Sequence, residues 1–189
     1  KKIYSNSELF KRIARVVDTK KLQSLNKEQV RVLMLVHRNF LRSGAALTGK
    51  NKARFQSINK KLAEIGTKFS QNLLNDERAW FLKLECETLE TLPTFLVQAL
   101  KQAGKDRGIN QAVLTLSRSL ITPFLQFCPD RELRELAYVA WTKRGASAGD
   151  RNNVKLAHKT LKLRAEMAKI LGFESYSHYK LETEMASSP

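Results

Sequence analysis

Cysteine is scarce. Cys86 and Cys128 are the only two in 189 residues, and no CxxC spacing occurs. That excludes a disulfide framework, gives no support to a structural zinc, and fits a reducing, cytoplasmic setting. Four prolines and eight glycines are too few for a disordered or fibrous chain. Apolar runs are short, such as Val32 to Val36, and the longest, Leu136 to Trp141, is six residues, far short of the ~20 that a membrane-spanning helix needs. No secretory signal is visible, and the chain opens on Lys1 rather than Met, so its ends need not be natural ones. Acidic side chains are also few, with 18 Asp and Glu against 34 Lys and Arg, a net +16.

What remains is of ordinary globular make-up, with 42% hydrophobic and 28% charged positions. A chain of this length fits one domain, with or without two lobes, and buries about 70% of its unfolded surface, so it needs neither disulfide nor metal to hold together. The charge excess is uneven. Residues 1–61 carry 16 basic and 3 acidic side chains, residues 62–99 carry 3 and 6, and residues 100–189 carry 15 and 9. A basic segment of this kind attracts phosphate backbones or acidic partners, or is simply the solvated side of helices.

Most of the sequence has helical periodicity. Ser7 is the expected N-cap of a helix with Leu9, Phe10, Ile13, Val16 and Val17 on one face. Asn26 caps a second, which Gly44 stops. Thr48 opens a long third helix whose stripe Phe55, Ile58, Leu62, Ile65, Phe69 and Leu73 advances by three or four residues at each step. Gly66 inside it costs about 1 kcal/mol against Ala, which predicts a close packing partner. Near Trp80 the period changes: Leu82, Leu84 and Cys86 alternate with Lys83 and Glu85, as in a strand. A short helix follows Pro93, and Val113 to Leu116 is a second short strand able to pair with the first as an antiparallel ribbon. Pro123 and Pro129 mark a broken helical stretch. Asp130 caps a helix with Leu133, Leu136, Ala137, Ala140 and Trp141 facing inward. Asp150 starts a long helix with two apolar stripes, one of Val154, Ala157, Leu161, Ala165 and Ala168, the other of Leu156, Leu163, Met167 and Ile170. Two stripes predict a central helix, ended by Gly172, and Ser175 starts a last one. The expected architecture is mainly α: a single helical domain over 1–189 with about seven helices and a minor two-stranded antiparallel element. Its parts are a helical hairpin lobe at 1–78, a strand-containing segment at 79–128 and C-terminal helices at 130–189.

Catalytic chemistry finds little to stand on. A peptidase zinc site commonly sets two histidines at i and i+4 around a glutamate base, and His37, His158 and His178 have no such partners. They read as helix-surface or helix-packing residues, and both cysteines as core. Thr48-Gly49-Lys50 resembles the tail of a phosphate loop but lacks the upstream glycine and strand, and reads as a helix start. Gly145-Ala146-Ser147-Ala148-Gly149 fits G-x-S-x-G, with Glu166 or Glu174 and His178 downstream. That motif requires a strained strand-to-helix turn, whereas residues 131–144 have helical periodicity. Nucleic-acid recognition would need aromatics among the basic residues, but Phe10, Phe40, Phe55 and Phe69 lie on the apolar stripes, which argues against it.

Four segments carry a resemblance. They are Arg38-Asn39-Phe40-Leu41-Arg42-Ser43-Gly44-Ala45; Ile58-Asn59 through Leu62 to Phe69-Ser70-Gln71-Asn72; Arg131-Glu132-Leu133-Arg134-Glu135 with Tyr138 and Arg144; and Leu163-Arg164-Ala165-Glu166 through Leu171-Gly172-Phe173, Tyr176 and Tyr179 to Met185-Ala186-Ser187-Ser188-Pro189. In order and spacing, the chain resembles the N-terminal helical region of the thimet oligopeptidase, peptidyl-dipeptidase and oligopeptidase A family of zinc metallopeptidases, family M3. The resemblance implies an interior slice of a larger cytoplasmic enzyme, forming most of the upper helical wall of a deep substrate channel. It also implies that the HExxH zinc ligands and general base lie downstream of this sequence.

No catalytic, cofactor-binding or metal residue is therefore assigned here. Zinc belongs to the parent enzyme and not to these residues, and this stretch alone is expected to be inactive. In the parent, zinc-assisted attack of water cleaves short peptides. The implied partners are peptide substrates and the missing catalytic half of the same chain, with no membrane. Apolar surface left uncovered, expected on the second stripe of the 150–171 helix and on the last helix, would let the isolated chain dimerise. The +16 charge departs from the acidic character of that family. A basic wall would favour acidic peptides or peptide C-termini, and it leaves open a different reading, a standalone basic module for nucleic acid or an acidic protein partner.

Overall fold

The computed structural model describes residues 3–19, 24–146, 149, 152–186 and 188–189. Nine helices and two strands occur among them: α1 Ser7–Asp18, α2 Lys27–Arg42, α3 Gly49–Ala79, β1 Phe81–Lys83, α4 Cys86–Glu90, α5 Thr94–Asp106, β2 Val113–Thr115, α6 Arg118–Phe127, α7 Arg131–Thr142, α8 Asn153–Ile170 and α9 Tyr176–Leu181. The mainly helical class and the ribbon are as expected, while the helix number is nine rather than about seven. The chain divides into two compact units, one of residues 1–63 with 159–189 and one of residues 64–158. Helices α3 and α8 each contribute residues to both.

In the first unit, Asn6 rather than Ser7 caps α1. Its Oδ1 accepts from the Glu8 and Leu9 N–H groups at 3.0 and 3.1 Å. Ser7 is drawn elsewhere, since the Lys52 ammonium donates to its Oγ at 2.6 Å. Asn26 caps α2 through a full capping box with Gln29. Gly44 ends that helix at φ +76°, where a Cβ would lie 2.8 Å from the Phe55 ring. Glycine is thus needed both for the left-handed turn and for the space. Phe40, Ala45, Phe55, Ile58, Leu163, Met167 and Ala168 are buried in this unit. Ser175 caps α9, as expected, by accepting from the His178 N–H.

The second unit holds the continuous core, built from Leu84, Leu92, Leu96, Leu100, Leu114, Leu116, Leu120, Ile121, Phe124 and their neighbours. β1 and β2 pair antiparallel, with Leu82 opposite Leu114. Alternation fails one step beyond Leu84. The Leu84 N–H still reaches the Ala112 carbonyl at 3.0 Å, but the chain then turns into α4, so Cys86 is exposed and only Cys128 is core. α6 continues through Pro123 instead of breaking, because Leu120, Ile121 and Phe124 bury one face and outweigh a lost backbone hydrogen bond. Asp130 caps α7. Leu136, expected inside, is 55% exposed, because the buried side of α7 is set by Leu133, Ala137 and Trp141.

Two further expectations fail. A Cβ on Gly66 would meet nothing within 4 Å, so no close partner explains that glycine. On α8 the stripe of Leu163 and Met167 is buried, and the other is open from Val154 (61% exposed) through Leu161 (64%) to Ala165 and covered only at Ala168. The helix is therefore not packed on both stripes. Asp150, the expected helix start, and Ser147 and Ala148 lie outside the described residues.

Candidate functional site

The three histidines do not converge. His37 lies on α2 with its ring stacked on Phe10 at 5.4 Å. His158 is exposed on α8. His178 bonds through Nδ1 to the Ser175 hydroxyl at 2.8 Å, with Nε2 3.5 Å from the Glu174 carboxylate one turn earlier. Among the described residues no three His, Cys, Asp or Glu side chains come together as metal ligands. The donor set of a zinc site, three protein ligands and an open position, does not fit these residues.

The serine motif fares no better on geometry. Its first residue, Gly145, follows α7, a helix and not a strand, at φ +72°. The Gly145 N–H donates to the Asp76 carboxylate at 2.8 Å. A Cβ there would lie 2.8 Å from the Asn153 amide, so glycine is explained by packing. Glu166, one candidate triad acid, accepts two hydrogen bonds from the Arg54 guanidinium at 2.5 and 2.6 Å. Those bonds hold its carboxyl below the ordinary range. It is an ion-paired acceptor in a helix-to-helix bridge. Thr48 and Gly49 open α3, whose Lys52 N–H bonds the Thr48 carbonyl at 3.2 Å.

The polar side chains that are well held serve the architecture, and most were invisible to spacing arguments. Arg42 lies 3.8 Å over the Tyr179 ring, donates to the Tyr179 carbonyl at 2.7 Å and pairs with Glu182. Arg38, one turn before it, donates to the Glu182 carbonyl. Two arginines at i and i+4 thus close the C-terminal end of α9, where carbonyls lack partners. Asn72 and Asn153, both buried, share a hydrogen bond at 2.8 Å, and Asn153 also donates to the Phe69 carbonyl at 3.0 Å. Arg144 stacks 3.4 Å over Trp141 and pairs with Glu77 at 2.5 Å. Arg134 donates to the Cys128 and Pro129 carbonyls at 2.6 and 2.7 Å. The aromatics near the basic N-terminal helices face one another, Tyr4 and Phe10 against Phe40.

Charge follows the two units. Residues 1–63 and 159–189 carry 21 Lys and Arg against 7 Asp and Glu, and residues 64–158 carry 13 against 11. No helix is long and apolar enough to cross a membrane among the described residues.

A helical scaffold in which ion pairs and amide hydrogen bonds fix helix ends is what the described residues define. Comparison with known proteins gives it a family. Residues 124–189 match the model described as "Peptidase family M3". The chain is 34% identical over 157 residues to oligopeptidase A of Haemophilus influenzae, covering 80% of this chain and 23% of that protein. It is 30% identical over 186 residues to oligopeptidase A of Escherichia coli K12, covering 96% and 27%. To dipeptidyl carboxypeptidase of the same organism it is 28% identical over 191 residues, covering 99% and 28%. The chain belongs to peptidase family M3, a family of metallopeptidases, and spans about a quarter of the length of these relatives.

Proposed function

We propose that this chain is a non-catalytic helical wall of a zinc-dependent oligopeptidase that cleaves short peptides, and that it acts as one domain of that larger protein in the cytoplasm. The observation that carries the reading is collinearity. Nearly the whole chain aligns with about a quarter of oligopeptidase A and of dipeptidyl carboxypeptidase. In this reading zinc and its base are held by residues outside these 189. The wall narrows access so that only unfolded segments enter, and its basic first unit draws acidic peptides or C-terminal carboxylates. The exposed apolar residues of α8, and the edge-to-face pair Phe95 and Phe127 on the second unit, supply surface for the remainder of the protein or, in isolation, for a second copy.

The test is peptide hydrolysis by the purified 189-residue chain with added zinc, beside the product of the complete natural reading frame. The expected result is cleavage only by the latter, abolished by a chelator and faster on acidic than on basic peptides. Zinc-dependent cleavage by the short chain would contradict the non-catalytic reading, and equal rates on the two peptide sets would contradict the role given to charge.

One observation favours a second reading, a basic binding module for nucleic acid or an acidic protein. It is the concentration of positive charge in residues 1–63 and 159–189. Affinity for one polyanion shape over another at equal salt would favour that reading.

A further inference from the structure

A small cavity of about 290 Å³ opens in the second unit, beside the start of α4. Its floor is apolar, formed by Leu84, Leu89, Ile109 and Ala112. The frame is tied by backbone bonds: the Leu84 N–H to the Ala112 carbonyl at 3.0 Å, and the Ile109 N–H to the Gly104 carbonyl at 2.9 Å. Gly104 lets the two segments meet, since a Cβ there would sit 2.0 Å from the Gln111 carbonyl oxygen. The apolar side of the cavity is thus framed by backbone contacts of the fold, as small-ligand pockets are usually pre-formed. At its edge stand Lys101 and Lys105, one turn apart on α5, and the exposed thiol of Cys86. Both lysines are exposed, and neither forms an ion pair among the described residues. Gln111 also lines the cavity, and its amide donates to the Glu85 carboxylate at 3.2 Å, placing one negative charge nearby.

We propose that this cavity binds a small amphiphilic monocarboxylate, its apolar body on the leucine floor and its carboxylate between Lys101 and Lys105. Two ammonium groups against one carboxylate leave a single positive charge, which matches one carboxylate better than a dianion and repels a cation. The volume of about 290 Å³ lies just below the ~300–1,000 Å³ of small-molecule sites, so the body is of the size of a short acyl chain or one large side chain. A free fatty acid and the C-terminal residue of a peptide share that chemistry. The inference does not depend on the peptidase reading.

Cys86 reports on occupancy, because Cys128 is buried and burial pushes its thiol up. The experiment follows iodoacetamide labelling of Cys86 in the 189-residue chain while octanoate, N-acetyl-phenylalanine, octan-1-ol or octylamine is added. Saturable protection by either carboxylate, with little from the alcohol or the amine, is the expected result. Protection by octanoate alone assigns a fatty-acid source, and by N-acetyl-phenylalanine alone a peptide C-terminus. Lys101→Gln with Lys105→Gln, both surface changes, should weaken carboxylate binding about three- to tenfold, the size of two exposed ion pairs. Glu85→Gln should tighten it. Protection by octan-1-ol equal to that by octanoate, an unchanged affinity in the double lysine variant, or no protection at all would overturn the proposal.

Discussion

Glycine shows how much single residues differ in what holds them. Gly66 lies inside α3 with free space around a would-be Cβ, while Gly104 faces a backbone carbonyl 2.0 Å away. Gly66→Ala should therefore stabilise the fold by about 0.5–1 kcal/mol, the helix-propensity difference. Gly104→Ala should destabilise it and open the α5 end, and urea titrations of the two variants check both signs. Glu166 carries a pH prediction. Arg54 holds its carboxyl below the ordinary 4.5, so its contribution is present above that value and lost as pH falls through the lowered one. The pair is some 40% exposed, so the effect is a shallow acid limb. Glu166→Gln should flatten the fall of Tm below about pH 4.5, and thermal melts of the variant with an unchanged acid limb would contradict the role of this pair.

At the level of elements, periodicity located the long helices well because their stripes are buried on one side. The capping of α2, α7 and α9 by Asn26, Asp130 and Ser175 was legible for the same reason: a cap depends on a few adjacent residues. Where tertiary packing decides, local patterns misled. Cys86 continues an alternation that the chain abandons, and Pro123 stays helical because its neighbours are buried. The two stripes of α8 look alike in sequence, and only the fold distinguishes the covered Leu163 from the open Leu161. Arg42 over Tyr179 and Arg144 paired with Glu77 join residues far apart in the chain, beyond any spacing rule, although both arginines fall in the segments that carry the family resemblance. Packing also predicts unequal costs. Ile121→Ala, fully buried in α6, should cost about 2–5 kcal/mol, whereas Leu136→Ala on the open side of α7 should stay within about 0.5. Thermal melts of the two variants would show the contrast or its absence.

For the whole molecule, two properties stand apart: membership of a peptidase family and a charge of +16 gathered largely in residues 1–63 and 159–189. A surface of Lys and Arg whose neighbouring aromatics Phe10 and Phe40 pack on each other should bind polyanions by charge alone. Retention on DNA and on heparin should then fall together as salt rises, and persistent retention on DNA alone would mean a built nucleic-acid site. For the candidate site the sequence carried only the expectation that the reacting groups lie elsewhere, since spacing shows which motifs fail but not what completes them. The most direct test of the account is the mass of the native gene product, detected with an antibody to this domain in lysate of the source cells. The account predicts a band several-fold heavier than 21.6 kDa that co-elutes with chelator-sensitive peptidase activity. A native product of 21.6 kDa, with no such activity, would contradict it.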